Sequence, residues 1–575
     1  MAISVERIQA DIEAIARFTA TPGRGASRPT FSAAWAGARD YVIEQAILAG
    51  CVIRTDAAGN VHARPADLGW QERAWLCGSH IDSVPHGGDY DGVAGVVTGL
   101  ELLRSAAEDK TKSAIEMIIF AEEEGPTFGL GMLGSRGWTG ELSAAELAAL
   151  TNAAGETYLE AGKPFGVDGR TLRDDRLDPG GYLGFIELHI EQGPGMWMRD
   201  QRFAIVNAIA GRRQYQVTIE GEANHAGATS MLDRRDALVG AAAAIIGLEL
   251  LAGEFGHGTV ITVGRLENHP NAVNVVPDNV TFTIDFRCGD DAVLNRWAEL
   301  RGLIEEVCTR RDLKWQFTLS EEIPARQMNG HLIQRLKTAA ARCGIGEAPI
   351  TVSGALHDSA VIAPYLPSAM VFVPSRGGIS HNPAEFSRVE DIALAAGVIE
   401  QVMRTPTIGR VNEMDRAEFV THFGGVFEHS PWIAERAWDQ RPFDSVADLH
   451  EKMVNIVRAA TPEERLALIR AHPDLVGRLA RQGGLTADST AEQQAAGLRT
   501  LTADDVVAFD LNNAKYQAKF GFPFVICARE NKKDAILAAF PVRLANTRDN
   551  EITTAIAEIA KIARLRLSDS VMEPL

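Results

Sequence analysis

Between Gly78 and Gly92 the chain reads GSHIDSVPHGGDYDG, two histidines, three aspartates and four glycines between apolar runs. Imidazole nitrogen and carboxylate oxygen converging on one point are what a hard or borderline divalent cation needs. His80 closes an apolar run, and Asp82 stands two residues on, where it can hold the imidazole in one tautomer. The glycines let the backbone fold so that Asp91 returns towards His80. Three further clusters supply the remaining donors: AEEEG at Ala121 to Gly125, ELHIEQGP at Glu187 to Pro194, and GISHNPAE at Gly377 to Glu385. Singly, each has a plainer explanation, since a histidine near a strand end is usually packed or solvated and a glutamate triplet is usually a wet face. His86 fits that plainer explanation. Four clusters in one domain outweigh it, because burying so much charge without a cation is costly.

These residues need elements that present them together. WLCGSHID reads as a strand running into the loop, GVAGVVTGLELLRSA as the following helix and IEMIIFAEEEG as the next strand, an α/β alternation. Residues 1–206 follow this grammar, and 321–407 return to it with short strands such as SAMVFVPS. Between them, residues 207–320 carry alternating strands (YQVTIEG, TVITVGRLE, NVTFTIDFRC) with helices, which predicts an inserted α+β module. A linker at 403–419 mixes charge, Pro and Gly, and residues 408–575 read almost wholly as helix. There Thr461, Pro462 and Glu464 form a helix start with a capping box.

At 575 residues the chain must divide into several domains, and its 46% hydrophobic and 23% charged content is that of a soluble globular protein. A formal charge of -19 argues against nucleic acid and anionic membranes as partners. The six cysteines are scattered without a CxxC pair, so no disulfide framework or thiolate zinc site is implied. The N-terminal MAISVERIQADIEAIARF carries acids in an amphipathic pattern, unlike a signal peptide. The apolar run ALVGAAAAIIGL, residues 237–248, falls short of the ~20 residues that span a bilayer. A cytoplasmic location is expected.

The ordered set GSHIDSV, GGDYDG, EEEG, ELHIEQGP, NHAGA, NVVPDNVTFTIDFR and GISHNPAE resembles the M20 family of dinuclear zinc amidohydrolases over residues 1–407. The similar branch contains allantoate amidohydrolase, N-carbamoyl-L-amino-acid hydrolase and β-ureidopropionase. The resemblance implies two divalent metal ions, zinc or manganese, with Asp91 bridging, His80 and His189 completing one site, and Glu123 and His381 the other. It implies Glu122 as general base, His225 as donor to the tetrahedral oxyanion, Asn274 and Arg287 as the grip on a substrate carboxylate, and Gln192 on the pocket wall. The insert would be a hinged lid and a homodimer surface. Two motifs depart from the family, HAGATSM for HAGTTPM and SGALHD for SGAGHD; neither touches a metal ligand, and both bear on substrate choice.

The C-terminal motifs FEHSPWIAE, AHPDL, LTADSTAEQQAAGL, FGFPFVICARE and IARLRL resemble OHCU (2-oxo-4-hydroxy-4-carboxy-5-ureidoimidazoline) decarboxylase over residues 415–575. That family is all-helical and uses no metal or organic cofactor. The resemblance implies His472 and Glu492 as catalytic groups and Pro473, Ser489 and Arg566 as substrate contacts. Phe520, Gly521, Phe522, Pro523 and Phe524 would pack the substrate ring and offer backbone groups. Ser489 and Glu492 also stand in capping-box spacing, which explains them equally well. Arg566 continues the apolar stripe Ile552, Ile556, Ile559, Ala563 at its edge, and a guanidinium there wants an anion, from protein or ligand.

Together the two resemblances imply a bifunctional enzyme of urate breakdown acting on small ureido compounds. One half would decarboxylate OHCU to (S)-allantoin, and the other would hydrolyse allantoate to ureidoglycine, ammonia and carbon dioxide. Ureidoglycolate or an N-carbamoyl-L-amino acid is the alternative substrate of the first half. A non-catalytic interaction module in either half is the competing class, and it predicts broken ligands or a missing His472.

Overall fold

The computed structural model describes residues 3–109, 114–256, 258–475 and 501–572. The chain falls into two compact units, Met1–Lys337 with Glu347–Glu400, and Thr338–Gly346 with Gln401–Leu575.

The first unit is built on a nine-stranded mixed sheet. Its order is Cys51–Thr55, Val61–Pro65, Ile115–Phe120, Ala74–His80, Tyr182–Ile190, Ser368–Val373, Ala204–Ile209 and Arg326–Gln327, with Ile350–Ser353 beside Ala204–Ile209. Ala74–His80, Ile115–Phe120 and Ser368–Val373 are buried at every residue, as parallel strands covered on both faces must be. The four central strands run parallel, in register His80 opposite Phe120 and His189 opposite Phe372. Their carboxyl ends therefore open along one edge, where open α/β sheets bind ligands.

The inserted module holds a five-stranded antiparallel sheet, ordered Leu266–His269, Asn279–Cys288, Gly211–Glu220 and Lys314–Ile323, with Val260–Thr262 also on Asn279–Cys288. Val280, Phe282, Ile284 and Phe286 alternate inwards against Ala241, Ala244 and Leu248 of helix Ala237–Phe255 and Leu300 and Ile304 of helix Trp297–Arg310. The Asp236 carboxylate caps the first of these helices, accepting the N–H groups of Leu238 and Val239. That helix has 19 residues, more than its apolar run suggests, and by length and composition alone it could cross a membrane. One face packs on the sheet, while Val239, Ile246 and Leu250 are exposed.

The second unit is helical among its described residues, so the chain is a multidomain α/β catalytic fold with an α+β insert, followed by an all-α domain. Its helices surround a core of Phe419, Phe423, Leu449, Met453, Tyr516, Phe524, Phe540 and Ile559. The capping box at Thr461 forms, with reciprocal bonds between Thr461 and Glu464. In the last helix, Arg548–Ser570, the buried face runs through Glu551, Ala555, Glu558, Ile559, Ile562, Ala563 and Arg566. Ile552 and Ile556 flank it half-buried, so Arg566 lies inside the buried face rather than at its edge.

Candidate metal centre and a second buried site

Four of the side chains named from sequence meet at the open edge of the large sheet. His80 ends its strand, and His189 lies on Tyr182–Ile190 with ring centroids 5.9 Å from those of His80. Asp91 stands just ahead of helix Val93–Asp109, and His381 comes from the loop after Ser368–Val373. Oδ1 of Asp91 is 3.2 Å from His189 Nε2 and 3.9 Å from His80 Nε2, while Oδ2 is 3.2 Å from His381 Nε2. One carboxylate thus faces two imidazole sets through different oxygens. Gly92 makes this possible: it sits at φ 66°, and a Cβ there would lie 2.5 Å from the His80 ring.

The loop is clamped from two sides. Glu385 accepts the backbone N–H groups of Tyr90 and Asp91 at 3.0 and 3.1 Å. Asp82 supports His80 through its carbonyl, 3.1 Å from Nδ1, while its carboxylate accepts the N–H groups of Glu123 and Glu124. That leaves Nε2 of His80 for a cation. Gln192, at φ 57°, donates to Asp91 Oδ2 at 2.9 Å, so it touches the cluster itself.

The glutamate triplet requires a correction. Glu122 was expected to be the base, but its Oε1 is taken by the N–H groups of Thr127 and Phe128 at 2.8 and 3.0 Å. Glu123 was expected to complete the His381 site, yet Glu124 converges with Asp91 and His381, its Oε2 lying 3.4 Å from His381 Nε2. Glu123 Oε2 lies instead 3.6 Å from His80 Nε2. A left-handed turn at Glu122 (φ 54°) sets these directions, and three identical letters carry no trace of it.

The donor set suits cations. Glu124 Oε1 is buried without a hydrogen-bond partner, and the buried His189 Nε2 faces Asp91 Oδ1 at 3.2 Å. Burial, reinforced by Asp91, pushes Glu124 up to about 8, and burial together with Asp358 and Glu124 drives Glu123 well above the carboxylate range. Burial also drops His80 to about 4, which keeps its imidazole neutral, the ligand form. Burial works to raise Asp91, but the hydrogen bonds and positive charge of the surrounding imidazoles of His189, His381 and His80 together hold it well below its usual range. Sequence reading overlooked His357, whose ring packs 4.3 Å from His189, and Glu187, which accepts from Ser79 and Ser359 at 2.7 and 2.6 Å. Both stand in motifs already singled out, SGALHD and ELHIEQGP.

The lid residues form a separate group. His225 is exposed, and its Nδ1 accepts the N–H groups of Gly227 and Ala228 at 3.1 Å, which leaves the proton on Nε2. Asn274 is its neighbour, its carbonyl accepting from Ala226 N–H at 3.0 Å. Arg287 forks onto Asp285 and donates to the Gly354 carbonyl. His86 is exposed; its Nδ1 lies 3.0 Å from the Arg24 carbonyl and its backbone N–H donates to Ser27 Oγ.

In the helical unit His472 follows helix Pro462–Ala471, where Pro473 forces extended backbone. It is buried, with Nδ1 3.0 Å from the Leu468 carbonyl, and burial holds it down at about 4. Arg566 is buried too, donating to Glu428 at 2.8 Å and to the Gly425 carbonyl at 3.1 Å. Glu428, from FEHSPWIAE, is a buried acid that sequence reading did not single out. The rings of Phe520, Phe522 and Phe524 go to the helical core around Tyr516 and Phe540, and so are not open to stack on a ligand as expected. Gly521 caps helix Ala503–Phe520 at φ 78°, and Pro523 is buried with the rings. Ser489 and Glu492 lie outside the described residues.

A mixed sheet with parallel central strands, an imidazole–carboxylate cluster at their carboxyl ends and a two-layer insert is the architecture of an M20-type α/β hydrolase. The chain belongs to peptidase family M20/M25/M40, which residues 76–405 match. Residues 412–568 match OHCU decarboxylase, so the chain joins a hydrolase and a decarboxylase. It is 34% identical over 402 residues to N-carbamoyl-L-amino-acid amidohydrolase of Paenarthrobacter aurescens, covering 69% of this chain and 97% of that enzyme. It is 33% identical to allantoate amidohydrolase of Escherichia coli, covering 68% and 94%. Among solved structures, a hydantoinase/carbamoylase-family amidase from Burkholderia multivorans matches with a TM-score of 0.65 and 32% identity, over 70% of this chain and 97% of that one.

Proposed function

We propose that the chain is a bifunctional enzyme of urate breakdown: a metal-dependent hydrolase of allantoate, yielding ureidoglycine, ammonia and carbon dioxide, fused to a decarboxylase that converts OHCU to (S)-allantoin. The observation that carries this reading is the joining of the two domains in one chain, since allantoin formed by one and allantoate consumed by the other are one ring opening apart. Ureidoglycolate or an N-carbamoyl-L-amino acid is the second reading for the hydrolase, favoured by the similarity to the Paenarthrobacter enzyme.

In the hydrolase, His80, His189 and Asp91 would hold one divalent ion, and Asp91, Glu124 and His381 a second, zinc or manganese. Such ions, when bound, supply Lewis acidity to a ureido carbonyl and ease the deprotonation of water. Glu123, whose Oε2 lies 3.6 Å from His80 Nε2 beside the cluster, takes the proton from the attacking water and returns it to the departing nitrogen. Nε2–H of His225 stabilises the oxyanion. Arg287 and Asn274 hold the substrate carboxylate, and lid closure brings them to it. Gln192 orients Asp91 and faces the substrate. We further propose a cytoplasmic homodimer that uses the lid, whose long helix exposes Val239, Ile246 and Leu250.

In the decarboxylase, no metal or organic cofactor is needed by this reading. His472 Nδ1–H is committed to Leu468, so Nε2 carries the lone pair and accepts or delivers the substrate proton. Arg566, oriented by Glu428, meets the substrate's carboxylate end. The resemblance to OHCU decarboxylase assigns substrate roles to Pro473, Ser489, Glu492 and the backbone of 520–524 as well. Assays of purified protein with allantoate, ureidoglycolate, N-carbamoyl amino acids and freshly generated OHCU test the reading; no turnover of allantoate alongside fast turnover of a carbamoyl amino acid would replace the first substrate.

A further inference from the structure

We infer that Asp285 is the positioning residue of the carboxylate anchor, aiming Arg287 at the substrate and keeping it from a competing acid. The inference rests on the reading of Arg287 given above. Asp285 and Arg287 stand two apart on strand Asn279–Cys288, so both side chains leave its polar face, while Ile284 and Phe286 enter the core behind them. Nε of Arg287 donates to Asp285 Oδ1 at 2.8 Å, Nη2 to Oδ2 at 3.2 Å, and Nη1 to the Gly354 carbonyl at 3.0 Å. A guanidinium has five N–H protons, so one on Nη1 and one on Nη2 remain for a ligand carboxylate.

Asp285 is itself held. Its cross-strand partner Gln214 donates to Oδ2 at 3.0 Å. The residue opposite Arg287 in the same ladder is a second arginine, Arg212, which pairs with Glu321. Two like charges opposite each other in a sheet repel, and here each guanidinium has its own acid. Without Asp285, Arg287 would be pushed by Arg212 and drawn towards Glu321, off the line that reaches Gly354 in SGALHD. That loop is also where this chain departs from its family, with Leu356 in place of glycine.

The test compares allantoate with its carboxamide analogue, on full-length wild type and the Asp285→Asn, Asp285→Glu and Arg287→Ala variants, with thermal midpoints checked first. Asp285→Asn is expected to raise KM for allantoate by about tenfold, the size of one weakened charge-assisted contact, with kcat within about twofold. Turnover of the carboxamide should not change, and Asp285→Glu should restore part of the loss. Equal losses on both substrates, or no change in KM for allantoate, would overturn the inference. If Arg287→Ala fails to erase the preference for the carboxylate, the anchor reading itself falls. If Arg287→Ala erases it while Asp285→Asn does not, only the role of Asp285 is lost.

Discussion

Glu122 and Glu124 stand two residues apart and take different partners: Glu122 Oε1 accepts the N–H groups of Thr127 and Phe128, whereas Glu124 Oε2 lies 3.4 Å from His381 Nε2. Only Glu123 and Glu124 therefore reach the cluster, and each glutamate of the triplet should fail differently. Glu122→Gln keeps an acceptor for both N–H groups, so metal content should hold and kcat should stay within a few-fold. Glu123→Gln should retain two metal equivalents and lose about 10²–10⁴ in kcat, the usual worth of a general base. Glu124→Ala should lose one equivalent by metal analysis. Two bound equivalents in Glu124→Ala, with loss in Glu123→Gln, would reverse the two roles.

A chelator should abolish ureido hydrolysis and leave OHCU decarboxylation intact in the same preparation. The imidazole–carboxylate groups suited to a cation all lie between His80 and His381 among the described residues. Parallel loss of both activities on dialysis against chelator, measured by product formation, would contradict this separation.

His472 predicts a pH dependence with a definite sign. Its folded value, about 4, lies below the ordinary 6.5 because the ring is buried. Unfolded chains therefore bind its proton first as pH falls. Stability present above pH 6.5 is lost between 6.5 and about 4, by on the order of 3 kcal/mol at most. Denaturant melts of wild type and His472→Asn at several pH values should converge towards acid pH, and His472→Asn should lose most decarboxylase activity at pH 7. A constant difference across the window would refute the titration.

Arg566 and Glu428 form a buried pair, so removing one partner strands the other. Arg566→Ala should destabilise the helical unit by about 3–5 kcal/mol as well as weaken substrate binding. Arg566→Met with Glu428→Met should recover much of the stability, yet leave the decarboxylase inactive. Denaturation midpoints and OHCU turnover separate the two effects, and recovery of turnover in the double variant would remove Arg566 from the site.

Much of this protein is legible without coordinates. Strand–loop motifs such as WLCGSHID and IEMIIFAEEEG carry their own periodicity and their own donors, so His80 and Asp91 could be named by residue type and position. His189 and His381 are assigned by the resemblance of their motifs to a known family. Thr461 and Glu464 likewise announce a helix start through contacts only three residues apart. Local information suffices wherever chemistry and its supporting backbone lie in one short stretch.

Tertiary structure decided what depends on direction and on distant partners. Which glutamate of the triplet enters the cluster is set by a left-handed turn and by Asp82, forty-odd residues earlier, gripping the backbone of Glu123 and Glu124. That Arg566 meets Glu428 reflects a contact across 138 residues. The phenyl rings of 520–524 were claimed by Tyr516 and Phe540, because a helical core competes with a ligand for the same apolar surface. Arg287 was readable as a cation near a substrate, but its orientation came from Asp285, Gln214 and the Gly354 carbonyl, which only sheet register and the folded loop bring together.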